Sequence, residues 1–140
     1  GNEFNIDVIH FPASNQSHYH PLWDSLMGMN KTNKEDIYNF LHQLKPYGPT
    51  PTRDVLIYTL ANYPKATDIV LLSDGAPTIG RTLKRDNINE IIDLVQEKNY
   101  KKVQINTIGV GSDFLTNTHN DKYVFLEKLA LKNNGFFVSF

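Results

Sequence analysis

The side chain with the clearest potential for chemistry is Asp74. It follows the four consecutive apolar residues 69–72 and stands in the run Ser73-Asp74-Gly75. Such a run is typical of a strand that is buried on both faces and leads into a functional loop. In open parallel α/β sheets, ligands bind outside the carboxyl ends of the strands. Asp74 is therefore the first candidate for binding or catalysis.

Simpler roles exist for Asp74 and its neighbour. Asp74 could hold the loop by accepting hydrogen bonds from the Gly75 and Ala76 amides, which is a frequent use of aspartate. Ser73 is better explained as a partner for a backbone group than as a nucleophile, because no histidine or other base stands in a motif relation to it.

A zinc site is the other metal chemistry to consider. His18 and His20 form a His-x-His pair, and His10 lies nearby in the sequence. On a strand, this spacing places two imidazoles on one face, where zinc accepts them. No third patterned ligand accompanies them. We interpret the three as loop and surface histidines.

Composition limits the classes of function. The 140 residues are 40% hydrophobic, which fits one globular domain over residues 1–140. The formal charge of -1 and the lack of a basic stripe argue against nucleic-acid binding. Without cysteine, thiolate metal sites and a cysteine nucleophile are excluded. No apolar run approaches the roughly 18 residues of a spanning helix and no signal peptide is evident, so we expect no membrane insertion.

Apolar patterns predict the strands that position these residues. Alternation and β-forming residues predict strands over residues 4–11, 103–110 and 136–140, and the unbroken apolar run predicts a strand over residues 69–73. Near His20 we expect at most a short edge strand, because the following proline cannot donate to a ladder.

Four helices are predicted between and after these strands. The start signals, in chain order, are a capping box at Thr32 and Glu35, Thr52 after a proline-rich turn, Asp86 or Asn87, and the end of the polar loop 112–121. The last helix is expected to end at Asn134-Gly135. Core-facing residues at helical spacing are Ile37, Phe40, Leu41, Leu44, Val55, Leu56, Thr59, Leu60, Ile88, Ile91, Ile92, Val95, Phe125, Leu126, Leu129 and Ala130. This alternation predicts an α/β fold with a doubly wound, Rossmann-like, mostly parallel sheet and helices on both faces.

Three stretches taken together resemble the von Willebrand factor A (vWA) domain, the fold of integrin I domains. They are Gly-Pro-Thr-Pro-Thr at 48–52, Ile-Val-Leu-Leu-Ser-Asp-Gly at 69–75 with Pro-Thr at 77–78, and Ile-Asn-Thr-Ile-Gly-Val-Gly at 105–111. A helix and a Gly-Phe-Phe-Val strand follow the third stretch. Their order and spacing match the family over nearly the whole chain.

The resemblance implies a metal-ion-dependent adhesion site at the carboxyl end of the sheet. The family holds Mg²⁺ or Mn²⁺ there with oxygen ligands from three loops. Thr50 matches the family's metal-binding threonine, and Asp74 matches the aspartate after the central strand. Both suit a small hard cation, which favours carboxylate, hydroxyl and water oxygens and leaves a position for a partner's carboxylate.

One part of the family pattern is missing. The first strand of the family ends in Asp-x-Ser-x-Ser, and this motif does not occur here. Residues 4–11 align better with the second strand, so the chain resembles a vWA domain without its central first strand and first helix. The resemblance implies a gap between residues 4–11 and 69–73. We expect a strand from another chain, a separate N-terminal segment or exchange within a dimer to fill it.

The favoured expectation is a protein-binding module rather than an enzyme. It would recognise a partner, through an acidic residue of that partner, at a rim of Thr50, Asp74 and the loops 12–19 and 112–121. An extracytoplasmic or cell-surface location is slightly favoured. The alternatives are a Mg²⁺-dependent, Rossmann-like hydrolase that uses Asp74, and a metal-free interaction domain whose sheet edge accepts a strand.

Overall fold

The structure is a computed structural model and describes residues 4–12, 18–45 and 48–140. These ranges contain seven strands and five helices: β1 Asn5–Ile6, β2 Ile9–His10, β3 His20–Pro21, β4 Met27–Gly28, α1 Lys31–Gln43, α2 Thr52–Asn62, β5 Asp68–Ser73, α3 Ile88–Lys98, β6 Gln104–Gly109, α4 Ser112–Thr116, α5 Asp121–Lys132 and β7 Phe137–Ser139. Among the described helices, none combines the length and the apolar character that crossing a bilayer requires.

The centre of the fold is a parallel sheet of β5, β6 and β7, in that order. β5 pairs with β6 from Asp68 opposite Gln104 to Ser73 opposite Gly109. β6 pairs with β7 from Thr107 opposite Phe137 to Gly109 opposite Ser139. The predicted α/β class, the parallel pairing and these three strands are confirmed. All three strands end at the same edge, where Asp74 follows β5.

The hydrophobic core lies between this sheet and the helices α2, α3 and α5. Its buried members are Leu56, Leu71, Ile91, Ile92, Val95, Ile105, Phe114, Phe125, Leu126 and Leu129. The predicted inner faces of α3 and α5 are confirmed. Side chains alternate between the two faces of a strand, and the alternate residues Val70 and Leu72 are 61% and 59% exposed. The prediction that this strand is buried on both faces is therefore wrong, because the described residues leave one face uncovered. The doubly wound arrangement with helices on both faces stays a prediction.

Helix α1 differs from its prediction in its start and its packing. Asn30 caps it by accepting a hydrogen bond from the Asn33 amide at 2.8 Å, so the capping box predicted at Thr32 is wrong. No residue of α1 is fully buried, and Leu41, predicted to face the sheet, is exposed. The reason is that α1 makes no extensive contact with the parallel sheet, although one face of that sheet is exposed at Val70 and Leu72. His20 stacks on Phe40 of α1 at 6.1 Å between ring centroids.

The strand predicted over residues 4–11 is divided at Asp7. β1 pairs antiparallel with β4, which the sequence did not predict, and β2 pairs antiparallel with β3. Asp7 causes the division, because its carboxylate accepts hydrogen bonds from the Val8 amide at 2.8 Å and from the distant Trp23 amide at 3.1 Å. Within the described residues, neither antiparallel pair joins the parallel sheet.

The loop predicted over residues 112–121 contains the short helix α4. Phe114 on this helix is almost completely buried, and its ring packs against Gly109. A Cβ on Gly109 would lie 2.5 Å from the Phe114 ring, so the glycine makes room for the aromatic side chain. The prediction of a loop without secondary structure is therefore wrong in its first half.

Candidate functional site

Two loops are fastened together at the carboxyl end of β5. The Thr50 amide donates to Thr78 Oγ1 at 2.7 Å, and the Thr78 amide donates back to the Thr50 carbonyl at 2.9 Å. Thr50 belongs to the proline-rich turn before α2, and Thr78 belongs to the loop after β5. This reciprocal pair uses the backbone of Thr50 and leaves its hydroxyl available. We call the region of Thr50, Asp74, Gly75 and Thr78 the rim, which is smaller than the predicted rim because it leaves out the loops 12–19 and 112–121.

The Thr50 hydroxyl lies against the residue that follows Asp74. A Cβ built on Gly75 would lie 3.1 Å from Thr50 Oγ1, so the two loops are in close contact. Asp74 is exposed, and within the described residues its carboxylate makes no hydrogen bond or ion pair. Ser73 is buried, and its hydroxyl accepts from the Gly75 amide at 3.2 Å. Ser73 thus satisfies backbone groups, as the simpler interpretation predicted.

The Asp74 carboxylate does not hold its own loop. The Gly75 amide binds Ser73 Oγ instead, because the shorter serine side chain reaches it within the turn. The alternative in which Asp74 caps the Gly75 amide is therefore wrong. An exposed carboxylate with no internal partner remains available to an external ligand.

A lysine and two further charged residues lie beside the rim. Lys122 Nζ donates to the Asp74 carbonyl at 3.2 Å and to Asp113 Oδ2 at 2.7 Å. It also lies 5.4 Å from the centroid of the Phe114 ring, over its face. Lys122 and Asp113 line an open cleft of about 720 Å³ together with Gly75, Ala76 and Arg85. The predicted rim loop 112–121 contributes to this cleft.

An ion pair braces the loop after β5 against α2. Arg53 donates two hydrogen bonds to the Asp86 carboxylate, at 2.9 and 2.6 Å, and one to Glu90 at 3.4 Å. The hydrogen bonds to Asp86 raise the pKa of Arg53 above its usual range. The Asp86 side chain is 5% exposed, and a bidentate pair of this kind fixes geometry as well as charge. Arg53 therefore fixes the end of the loop that connects β5 to α3.

Thr52 has a different role from the predicted cap. It is the first residue of α2, and Pro51 occupies the cap position without a side-chain hydrogen bond to the helix. The Thr52 hydroxyl instead donates to the Thr50 carbonyl at 3.4 Å. Proline suits this position because its backbone dihedral is already fixed for a helix start. Thr52 thus helps to hold the turn that carries Thr50.

The three histidines of the zinc alternative lie in two places. His10 and His20 are opposite each other in the β2–β3 pair. His18 is paired with Asp54 in the first turn of α2. Among the described residues there is no cluster of three or more histidine, cysteine, aspartate or glutamate side chains that could hold a metal.

Tyrosines connect the N-terminal pairs to α2. Tyr63 donates to Asp7 Oδ2 at 2.6 Å, and Tyr58 donates to Asp24. Burial raises the pKa of Tyr58 to about 12, with the Asp24 hydrogen bond as the next cause. Burial, followed by the Asp7 hydrogen bond, also raises the pKa of Tyr63. Both hydroxyls remain protonated donors at neutral pH.

No family model matches the chain. The vWA resemblance therefore stays a prediction, carried by the three sequence stretches. One part of the predicted rim, residues 13–17 of the loop 12–19, lies outside the described residues.

The rim fits a hard cation in the type of its donors and only partly in their number. It offers one exposed carboxylate, Asp74, and one hydroxyl, Thr50, on neighbouring loops. Mg²⁺ and Mn²⁺ accept such oxygens, and Mg²⁺ keeps several waters when a protein supplies few ligands. The structure brings the two predicted site residues to adjoining loops. It adds Lys122, which sequence reasoning missed because nothing in the spacing from 74 to 122 indicates contact.

Proposed function

We propose that the chain is a protein-binding module of vWA type, with the rim as its binding surface. The observation that carries the proposal is the pair of hydrogen bonds between Thr50 and Thr78. It fastens the turn 48–52 to the loop that bears Asp74, at the sheet edge where open parallel α/β folds bind ligands. The rim would bind Mg²⁺ or Mn²⁺ weakly through Thr50 and Asp74.

The cleft beside the rim is lined by two acidic side chains, Asp113 and Asp121, and by two basic ones, which could contact an acidic group of a partner. Lys122 and Arg85 both line the cleft next to Gly75. A partner's carboxylate could complete the shell of a cation at Asp74 while it lies near these positive side chains. Rim charges of this kind act mainly on association rate and specificity.

Calorimetry with Mg²⁺ and Mn²⁺ tests the metal part of the proposal. We expect a binding heat with a dissociation constant of about 1 mM, because few protein ligands are present. Asp74→Ala and Thr50→Val should remove the heat, whereas Thr50→Ser, which keeps the hydroxyl, should retain it. Asp93→Ala, an exposed carboxylate on α3, is the matched control and should behave like the original chain.

The variants should fold normally, since the Asp74 side chain is exposed and Thr50 holds the loop through its backbone. Changes of this kind usually alter stability by less than about 0.5 kcal/mol. If the original chain gives no heat and an unchanged melting temperature with either ion, the metal part of the proposal is wrong. Binding at this rim would then have to be metal-free.

A further inference from the structure

Two histidines stand directly opposite each other in the antiparallel pair of β2 and β3. They are His10 and His20. Opposite residues of such a pair project from the same face, with their Cβ atoms about 4.5–5.5 Å apart. Two imidazoles at that separation can hold one metal ion between them, each through a ring nitrogen at about 2.0–2.1 Å. The pairing of the strands therefore brings together two ligands that the sequence places ten residues apart.

The two rings lie on the face of the β2–β3 pair that turns away from the parallel sheet. Ile9 and Phe11, on either side of His10, line the cleft towards β5. Because side chains alternate between the faces of a strand, His10 lies on the opposite face. His20 is exposed and His10 is half-buried. A metal ion in solution therefore has access to the pair.

The backbone that carries the two rings is anchored on both strands. The Leu22 amide donates to the Val8 carbonyl at 2.8 Å, which continues the pairing two residues beyond the histidines. Asp7 then accepts from the Trp23 amide at 3.1 Å and from the Tyr63 hydroxyl at 2.6 Å, which fastens the pair to the end of α2. Ligands on a fixed backbone lose less conformational freedom when a metal binds.

Neighbouring groups also restrict the rings themselves. Phe40 of α1 stacks on His20, with 6.1 Å between the ring centroids and 23° between the ring planes. After burial, the charge on His20 is the second cause that lowers the pKa of His10, so the two rings are near enough for their charges to interact. Two protonated rings repel each other in this position, whereas two neutral rings can share one cation.

The nitrogen ligands decide which ions suit this pair. Imidazole is a ligand for Zn²⁺, Ni²⁺ and Cu²⁺, and the affinity of a given site is highest for Cu²⁺. Mg²⁺ and Mn²⁺ instead favour oxygen ligands. In the part of the chain that the structure describes, no third histidine, cysteine, aspartate or glutamate joins the pair. Water would therefore fill the other positions of the ion.

We propose that His10 and His20 together bind one divalent transition-metal ion, with Cu²⁺ bound more tightly than Zn²⁺ or Ni²⁺. Each histidine supplies one ring nitrogen, and the ion links β2 to β3 through their side chains. This site differs from the rim in place and in chemistry, because the rim offers oxygen ligands to a hard cation. The inference does not rest on the proposed function.

Zn²⁺ titration of the unaltered chain tests the site without any substitution. Zn²⁺ should shift the imidazole ¹⁵N resonances of His10 and His20 together, with one stoichiometric ion. The resonances of the other three histidines, His18, His42 and His119, should shift only at higher concentration. A shift of one member of the pair alone, or similar shifts of all five histidines, would show adventitious surface binding and would overturn the proposal.

Substitutions with Cu²⁺ as the probe test whether the two histidines act as one site. His10→Gln and His20→Gln should each weaken Cu²⁺ binding about a hundredfold, because a single imidazole loses the gain from two linked ligands. The double variant should bind little more weakly than either single variant. His119→Gln, which removes an exposed histidine elsewhere, is the matched control and should bind like the original chain.

The double variant gives the sharpest contradiction. Losses of the two single variants that simply add up would show two independent histidines, and tighter binding of Zn²⁺ than of Cu²⁺ would refute the proposed selectivity. Melting temperatures measured with a chelator show that each variant folds. Cu²⁺ should raise the melting temperature of the original chain and not that of the single variants.

The two proposed metal sites can be tested separately. Asp74→Ala should leave Cu²⁺ binding at the histidines unchanged, and His10→Gln should leave Mn²⁺ binding at the rim unchanged. A chain that binds Cu²⁺ through His10 and His20 but no Mn²⁺ contradicts the metal part of the proposed function and leaves this inference intact. A chain that binds Mn²⁺ at the rim but no Cu²⁺ at the histidines overturns this inference alone.

Discussion

At the scale of single residues, His10 and His20 form a cross-strand pair in which two like charges would meet. They are directly opposite each other in β2 and β3. Burial lowers the pKa of His10 below its usual range, and the nearby His20 lowers it further. The folded chain therefore takes up a proton at His10 less readily than the unfolded chain does.

This pair makes the stability of the folded chain depend on pH in the acidic range. Because the pKa of His10 is lowered on folding, its contribution to stability is complete above the unfolded value of about 6.5 and is lost as the pH falls below it. The melting temperature should fall between pH 7.5 and pH 5. His10→Gln should reduce that fall, and the exposed His119→Gln should not. If the melting temperature of His10→Gln falls as much as that of the original chain over this pH range, His10 is not the cause of the fall.

Among the glycines that the structure describes, Gly135 has the least space for a side chain. A Cβ there would lie 1.8 Å from the Ile105 carbonyl oxygen and 2.5 Å from its carbon. Both are backbone atoms of β6, so neither can move without disturbing the sheet. The preceding Asn134 has a left-handed φ of 55°, which confirms the predicted turn at the end of α5.

Gly135→Ala should strongly destabilise the fold. Overpacking commonly costs about 1–3 kcal/mol, and a clash with a sheet backbone should be at or above the top of that range. Urea unfolding measures the change in the free energy of unfolding. Gly28→Ala is the control, since its nearest neighbour, the Asn5 side chain, would be 3.5 Å away. A loss below about 1 kcal/mol for Gly135→Ala would show that α5 and β6 can separate.

At the scale of elements, two buried asparagines join α3, β6 and α5. Asn99 Nδ2 donates to the Val103 carbonyl at 2.8 Å and to Asn133 Oδ1 at 2.9 Å. The Val103 amide donates back to Asn99 Oδ1 at 2.8 Å. Asn133 in turn donates to the Leu129 carbonyl at 2.8 Å. This network sets where β6 begins relative to the ends of both helices.

Asn99→Ala should cost about 3 kcal/mol or more. The substitution leaves several buried groups without partners, and each such group costs about 1–3 kcal/mol. Asn89→Ala on the same helix removes an exposed side chain and should change stability by less than about 0.5 kcal/mol. Thermal and urea unfolding of both variants provide the measurement. Equal stability of the two would mean that water replaces the network.

The helices and strands also differ in how well they could be predicted from sequence. The helices α3 and α5 follow from local periodicity, because their apolar residues recur every three or four positions and face one core. Residues 4–11 have an equally clear β pattern, yet they form two short strands. The cause is Asp7, whose partners Trp23 and Tyr63 lie 16 and 56 residues away. Contacts at that separation leave no trace in a local pattern.

At the scale of the whole molecule, the parallel sheet brings separate loops to one edge. Asp74 was selected from the sequence because it follows a recognisable strand end, whereas Thr50 was selected through the resemblance to the vWA family. Lys122 could not, since its contact with the Asp74 carbonyl depends on how α5 packs behind β6. The number and order of strands in the sheet also depend on pairing between distant segments. Sequence patterns therefore indicated the two adjoining loops of the candidate rim but not the lysine that lies beside them.

The most direct test of the proposed binding rim is paramagnetic broadening by Mn²⁺. In the amide spectrum of the 140-residue chain, low Mn²⁺ concentrations should broaden the signals of Thr50, Gly75 and Ala76 before others. Asp74→Asn should remove this selective broadening, and Asp93→Asn should leave it unchanged. Broadening that spreads over exposed carboxylates such as Asp93, or that spares the rim, would contradict a cation site at Thr50 and Asp74.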